Sequence, residues 1–137
     1  MKIFLQIIFF VTLNFSVINA SDFREVKEIT LKKDEQKKIL VKYGSFEKLF
    51  KFSWTLYKNG GLVVFRSYDK IVAQNILYLR HQNQSFRFNL KARGVNSYNV
   101  PYVLVKFKEF NHETNAATFV LLLSDDELEM TLEYLKE

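Results

Sequence analysis

Apolar and polar residues alternate along most of the chain after residue 20, and alternation with period two is typical of half-buried β-strands. The clearest run is 86–93, where every second residue is apolar and is predicted to face a core. A second run, 50–57, is followed by Asn59-Gly60 and by the run 62–66, whose first four residues are apolar. Because Asn-Gly supplies the positive φ angles of a type I′ turn, this segment predicts a β-hairpin.

Further strands are predicted at 26–32, 37–43, 76–80, 102–110 and 117–123. The stretch 125–136 is compatible with a helix, since Ser124–Glu127 matches a capping box. Residues 128–134 alternate without a fault, however, and we predict a last strand there. Eight or nine short strands without a convincing helix predict an all-β fold. We expect an antiparallel, immunoglobulin-like β-sandwich in which Trp54 anchors the core.

Residues 1–20 are typical of a secretory signal peptide, with Lys2 at the positive end, an apolar run, and the small residue Ala20 at the cut. We therefore predict an N-terminal signal helix at 1–20 and a single β-sandwich domain at 21–137. An uncleaved N-terminal anchor is the alternative. Since the chain has no cysteine, whereas small secreted animal domains usually carry disulfides, we expect a periplasmic or secreted bacterial protein after Sec-type export.

The composition excludes several classes of functional site. Without cysteine there is no zinc ribbon, iron–sulfur cluster or cysteine nucleophile. The formal charge of +5 arises from 20 Lys and Arg against 15 Asp and Glu, and we interpret it as a solvated surface. Alternation places Phe86 and Phe88 on one face of their strand and the cations on the other face. The two kinds of side chain could not hold a base together, so the pattern does not indicate a nucleic-acid groove.

Candidate catalytic groups are few. His81 and His112 lie in predicted turns, and there is no G-x-S-x-G motif. A calcium site combining His112-Glu113 with Asp125–Glu127 is conceivable, but the spacing matches no EF-hand. We therefore expect no enzyme, no metal and no cofactor.

The remaining signal is a surplus of tyrosines, a residue type enriched at protein interfaces. The sequence predicts a non-catalytic structural or protein-interaction subunit of a cell-envelope assembly, whose partner is another envelope protein or a second copy. A glycan- or lipid-binding module is the alternative, and neither nucleic acid nor, beyond the signal peptide, membrane is expected as a partner. The possible interaction surface comprises Tyr57, Tyr68, Tyr78, Arg87, Lys91, Arg93, Tyr98 and Tyr102.

Overall fold

A computed structural model describes residues 23–90, 100–124 and 130–136, and these residues form nine β-strands and no helix. All strand pairs are antiparallel, so the predicted all-β class is confirmed. The strands are β1 (Glu25–Lys32), β2 (Lys37–Tyr43), β3 (Phe46–Lys58), β4 (Gly61–Tyr68), β5 (Ile71–Tyr78), β6 (Ser85–Asn89), β7 (Tyr102–Asn111), β8 (Ala116–Ser124) and β9 (Thr131–Tyr134).

The strands are divided between a four-stranded sheet of order β1-β8-β7-β6 and a five-stranded sheet of order β5-β4-β3-β2-β9. Each sheet is mostly a meander of consecutive strands, to which β1 or β9 is added at one edge. In immunoglobulin constant domains the first, second, fifth and fourth strands share a sheet instead. The immunoglobulin-like plan is therefore not confirmed.

The inner faces of the two sheets meet in a shared, sandwich-like core. Phe50 of β3 stacks on Phe88 of β6 with ring centroids 4.1 Å apart, and Phe52 meets Phe119 of β8 edge-on at 5.3 Å. Aromatic contacts of this kind stabilise the packing of the two sheets, in addition to the stabilisation that comes from the apolar area they bury. The largest fully buried side chains include Trp54, Phe50, Phe52, Phe107 and Phe119.

The predicted hairpin between β3 and β4 is confirmed, with φ angles of 54° at Asn59 and 79° at Gly60. The prediction for β3 is wrong in two details. The strand begins at Phe46, and a β-bulge between Trp54 and Leu56 shifts the alternation by one residue. Leu56, which follows Phe50, Phe52 and Trp54 in the predicted alternation, is therefore exposed on the outer face, and Tyr57 contacts inner-face aromatic rings instead.

The predicted strand 76–80 is also wrong, since β5 begins at Ile71 and ends at Tyr78. The turn before β5 uses Asp69 and Lys70, both at positive φ, without the glycine that marks such turns in a sequence. The C-terminal prediction of a strand rather than a helix is confirmed for β9, while residues 125–129 lie outside the described ranges.

The predicted signal peptide, residues 1–20, lies outside the described residues. Within the described ranges no helix has the length and apolar character needed to cross a membrane. The division into a signal peptide and one domain stays a prediction.

Candidate functional site

The described part of the fold has four sheet edges, and they differ in how they are protected against pairing with another chain. Charged side chains and short length are the usual protection of an edge strand. Strand β1 carries four charged residues among eight, while β6 and β9 are five and four residues long and carry Arg87 and Glu133. Strand β5, with the sequence IVAQNILY, is eight residues long and has no charged residue and no proline.

The first half of β5 is exposed on both faces. Ile71 on the inner side and Val72 on the outer side keep 72% and 73% of their surface in contact with solvent. The described aromatic contacts between the two sheets involve other strands. The inward aromatic rings of β6 contact β3 and β4, as in the packing of Phe88 against Phe50 and Tyr68. Leu77, in the second half of β5, is buried in the core, so only the first half of the strand is exposed in this way.

The backbone of β5 is also available for pairing along the edge that faces away from β4. At the C-terminal end the N–H of Tyr78 donates to the carbonyl of Asn83, 3.1 Å away, so it points away from β4. Because backbone direction alternates with period two in antiparallel strands, the N–H and C=O groups of Val72, Gln74 and Ile76 also point to the edge. Among the described residues, β5 pairs only with β4.

An apolar surface adjoins this edge on the outer face of the five-stranded sheet. Leu56, Val63 and Ile76 lie side by side on β3, β4 and β5, and Phe65 lies on the next outward position of β4. The ring of Tyr78 covers Gly61, where an added Cβ would lie 3.0 Å from the tyrosine ring. We call the exposed residues of this surface the β5 patch: Leu56, Phe65, Val72, Ile76 and Tyr78.

Arg66 lies on the inner side of the same edge. Its Nε donates to Asn75 Oδ1 at 2.9 Å, and its guanidinium lies 4.8 Å from the ring centroid of Phe86. Burial lowers the pKa of Arg66. No carboxylate of the described residues forms an ion pair with it.

The remaining charges near β5 are mostly positive. Lys51 lies in the same outer row as Ser67 and Val72, and Lys70 immediately precedes the strand. These residues line a depression of about 440 Å³, in which Asp69 forms an ion pair with Lys48. Glu47 lines the same depression, so three lysines and two carboxylates lie there and the start of β5 has a small excess of positive charge.

The structure separates the tyrosines of the predicted interaction surface. Tyr57 packs on Phe110 with centroids 4.0 Å apart, and the hydroxyl of Tyr68 donates to the carbonyl of Leu90 at 2.6 Å. Both are half-buried and pack against the core. Tyr78, in contrast, belongs to the β5 patch.

Two further predicted residues come together on the outer face of the other sheet, where the Arg87 guanidinium lies 3.6 Å from the ring centroid of Tyr102. Lys91, Arg93 and Tyr98 fall outside the described residues. The structure thus places the described members of the predicted set on different faces. Trp54, expected as the core anchor, is 1% exposed.

Sequence reasoning missed Ile71, Val72 and Arg66. One signal was present: no charged residue occurs between Lys70 and Arg80, an uncharged stretch of strand-forming residues. Whether such a stretch is a buried central strand or a free edge depends on which strands pair with it, and pairing is not visible in local alternation.

The described residues contain no group of three or more His, Asp or Glu positioned to hold a metal ion. His112 packs beside Phe110, and His81 Nδ1 accepts from the Asn83 N–H at 3.1 Å. Both histidines are exposed, while Asp125–Glu127 lies outside the described residues.

No family model, no curated protein and no solved structure matches this chain.

Proposed function

We propose that this protein is an exported, non-catalytic β-sandwich that acts as a protein-interaction subunit of a cell-envelope assembly and docks through β5. An extended segment of another envelope protein adds to the free edge and contacts the β5 patch. This recognition mode obtains affinity from main-chain hydrogen bonds and specificity from alternate side chains. Export is supported by the signal-peptide pattern of residues 1–20.

The observation that carries the proposal is the contrast between β5 and the other described edges. A long, uncharged and apolar edge is an aggregation hazard unless something covers it. Strand β1 has the same length but carries charges along it. The chain therefore protects one long edge and leaves the other suited to a partner strand.

Charge favours a different protein over a second copy as the occupant. Antiparallel pairing of two β5 strands about a two-fold axis would bring Lys70 of each copy beside the Tyr78–Arg80 end of the other. Like charges placed close together across paired strands are destabilising. A partner segment with acidic flanks would instead complement Lys51 and Lys70.

Site-specific photocrosslinking in the native host tests the proposal. A benzophenone amino acid replaces Val72 in one variant of the full chain and Val26 in the control. Val26 is an exposed valine, 56% accessible, on the equally long but charged edge strand β1. We expect a discrete adduct with an envelope protein at position 72 and none at position 26.

The other outcomes are also informative. Equal adducts at both positions, or none at position 72, would contradict docking through β5. An adduct of twice the chain's mass would show that the occupant is a second copy. N-terminal sequencing of the protein from the soluble envelope fraction tests export, and a cytoplasmic chain that still begins at Met1 would refute it.

A further inference from the structure

Arg66 is half-buried beside the free edge, so its charge is partly withdrawn from water, and no carboxylate of the described residues pairs with it. An opposite charge and hydrogen bonds are what compensate a charge for lost hydration. Here the compensation within the described residues is one hydrogen bond to the neutral amide of Asn75 and the ring of Phe86. A guanidinium has five N–H donors, and the Nε–H that binds Asn75 is one of them. The Nη side of the fork is suited to a carboxylate.

The position of Arg66 relates it directly to the free edge. Arg66 of β4 is the register partner of Ala73 on β5, and both lie in the inner row. The Arg66 side chain already extends from its own strand to Asn75 of β5. Ala73, which lies between Arg66 and the edge in this row, is half-buried and its side chain is only a methyl group. A strand added to β5 would place its own inner-row residue opposite Ala73, two strand spacings or about 10 Å from the Arg66 backbone.

We propose that Arg66 recognises an aspartate or glutamate in the partner segment, at the position that pairs with Ala73. The inference rests on the proposed docking at β5 and specifies the chemistry of the segment. Because the edge-directed backbone groups belong to Val72, Gln74 and Ile76, the residue opposite Ala73 forms a non-hydrogen-bonded pair, whose side chains lie closest together. Its carboxylate would meet the guanidinium in the bidentate geometry that arginine favours.

The chemistry of the whole segment follows from the two faces of β5. Its outward residues are apolar, because they contact Val72, Ile76 and the rest of the β5 patch. Its inner row carries the acidic residue opposite Ala73. The segment is therefore an apolar strand with a single acidic residue on its inward side. Lys51 and Lys70 favour a further acidic residue at the end of the segment that lies beside the start of β5.

Short synthetic peptides that pair with β5 and are centred on Ala73 test this inference on the purified full chain. Each peptide has seven residues, with valine at both ends and alternating with threonine, and the central threonine is replaced by glutamate, glutamine or lysine. This alternation is symmetric about the central residue, so the same peptide pairs in either direction. Binding is measured by fluorescence anisotropy. We expect the glutamate peptide to bind about tenfold more tightly than the glutamine peptide, and the lysine peptide to bind weakest, as a charge-assisted pair in a partly desolvated site predicts.

Two variants assign the preference to Arg66. Arg66→Met keeps most of the side-chain volume and should bind the glutamate and glutamine peptides equally. Arg87→Met is the matched control, since Arg87 also lies over an aromatic ring but on the outer face of the other sheet. It should keep the tenfold preference. Circular dichroism shows whether each variant folds. If Arg66→Met does not fold, the order of the three peptide affinities on the unmodified chain tests the inference.

The results separate the two proposals. Equal binding of the glutamate, glutamine and lysine peptides would overturn the role of Arg66 while leaving docking at β5 in place. If no peptide binds, strand addition at β5 is itself contradicted, and the role of Arg66 falls with it.

Discussion

Replacing Trp54 with phenylalanine should destabilise the fold by more than the loss of apolar contacts alone. Trp54 lies on β3, in the five-stranded sheet, and its indole N–H donates across the core to the carbonyl of Leu31 on β1, 2.8 Å away. Since β1 is the edge of the opposite sheet, this hydrogen bond joins the two layers. Phenylalanine fills most of the same space but has no donor.

The magnitude follows from two contributions. A buried carbonyl that loses its partner costs about 1–3 kcal/mol. The smaller ring also weakens the edge-on contact with Phe110, now at 5.5 Å, and leaves unfilled volume, which adds about 1 kcal/mol. Trp54→Phe should therefore lower the free energy of unfolding by about 2–4 kcal/mol, a large part of the stability of a small domain.

Urea unfolding followed by far-UV circular dichroism measures this effect, since the substitution removes the chain's only tryptophan and with it the fluorescence signal. Phe119→Leu is the control, because Phe119 is equally buried but makes only apolar contacts. It should cost about 1–2 kcal/mol. If Trp54→Phe costs no more than Phe119→Leu, the hydrogen bond between the layers contributes nothing and the reasoning is refuted.

Two further predictions concern Tyr68 and Gly60. Burial raises the pKa of Tyr68 above the usual value near 10, so the unfolded chain loses this proton first and the free energy of unfolding falls as the pH rises above about 10. Tyr68→Phe loses the hydrogen bond to the Leu90 carbonyl and should lower the free energy of unfolding by about 1 kcal/mol at neutral pH. In urea titrations it should also make the decline at alkaline pH shallower. An unchanged decline would contradict this assignment. Gly60→Ala, at a φ of 79°, should cost about 1 kcal/mol and lower Tm by roughly 5 °C in a calorimetric scan, whereas an unchanged Tm would show that the turn tolerates a side chain.

Several elements of the fold could be predicted because their cause is local. The Asn59-Gly60 turn needs positive φ angles that these residues adopt readily, and strand β2 was predicted at its observed bounds. The inward residues of β7 also follow the alternation, with Val103, Val105 and Phe107 buried. Where a local rule failed, a local irregularity was responsible. The bulge after Trp54 exchanged the faces of Leu56 and Tyr57, and no residue type in that stretch announces a bulge.

The candidate site was much harder to predict than the strands. The tyrosine surplus predicted an interaction surface from residues that the structure distributes between the core and different faces. The residues that now carry the functional argument are two exposed aliphatic residues, Ile71 and Val72, and one half-buried arginine. Their residue types are common in β-strands, and only their position at an exposed sheet edge suggests a function.

The amino-acid pattern alone determined that this chain forms β-strands, which residues of most strands face inward, and where the central hairpin turns. These properties depend on side-chain alternation and on the φ angles of single residues, so they act over a few positions. Only the tertiary structure decided that β1 pairs with β8, that β9 pairs with β2, and that β5 remains an edge. Such pairings join residues far apart in the chain, and they follow from how the two sheets cover each other's apolar faces.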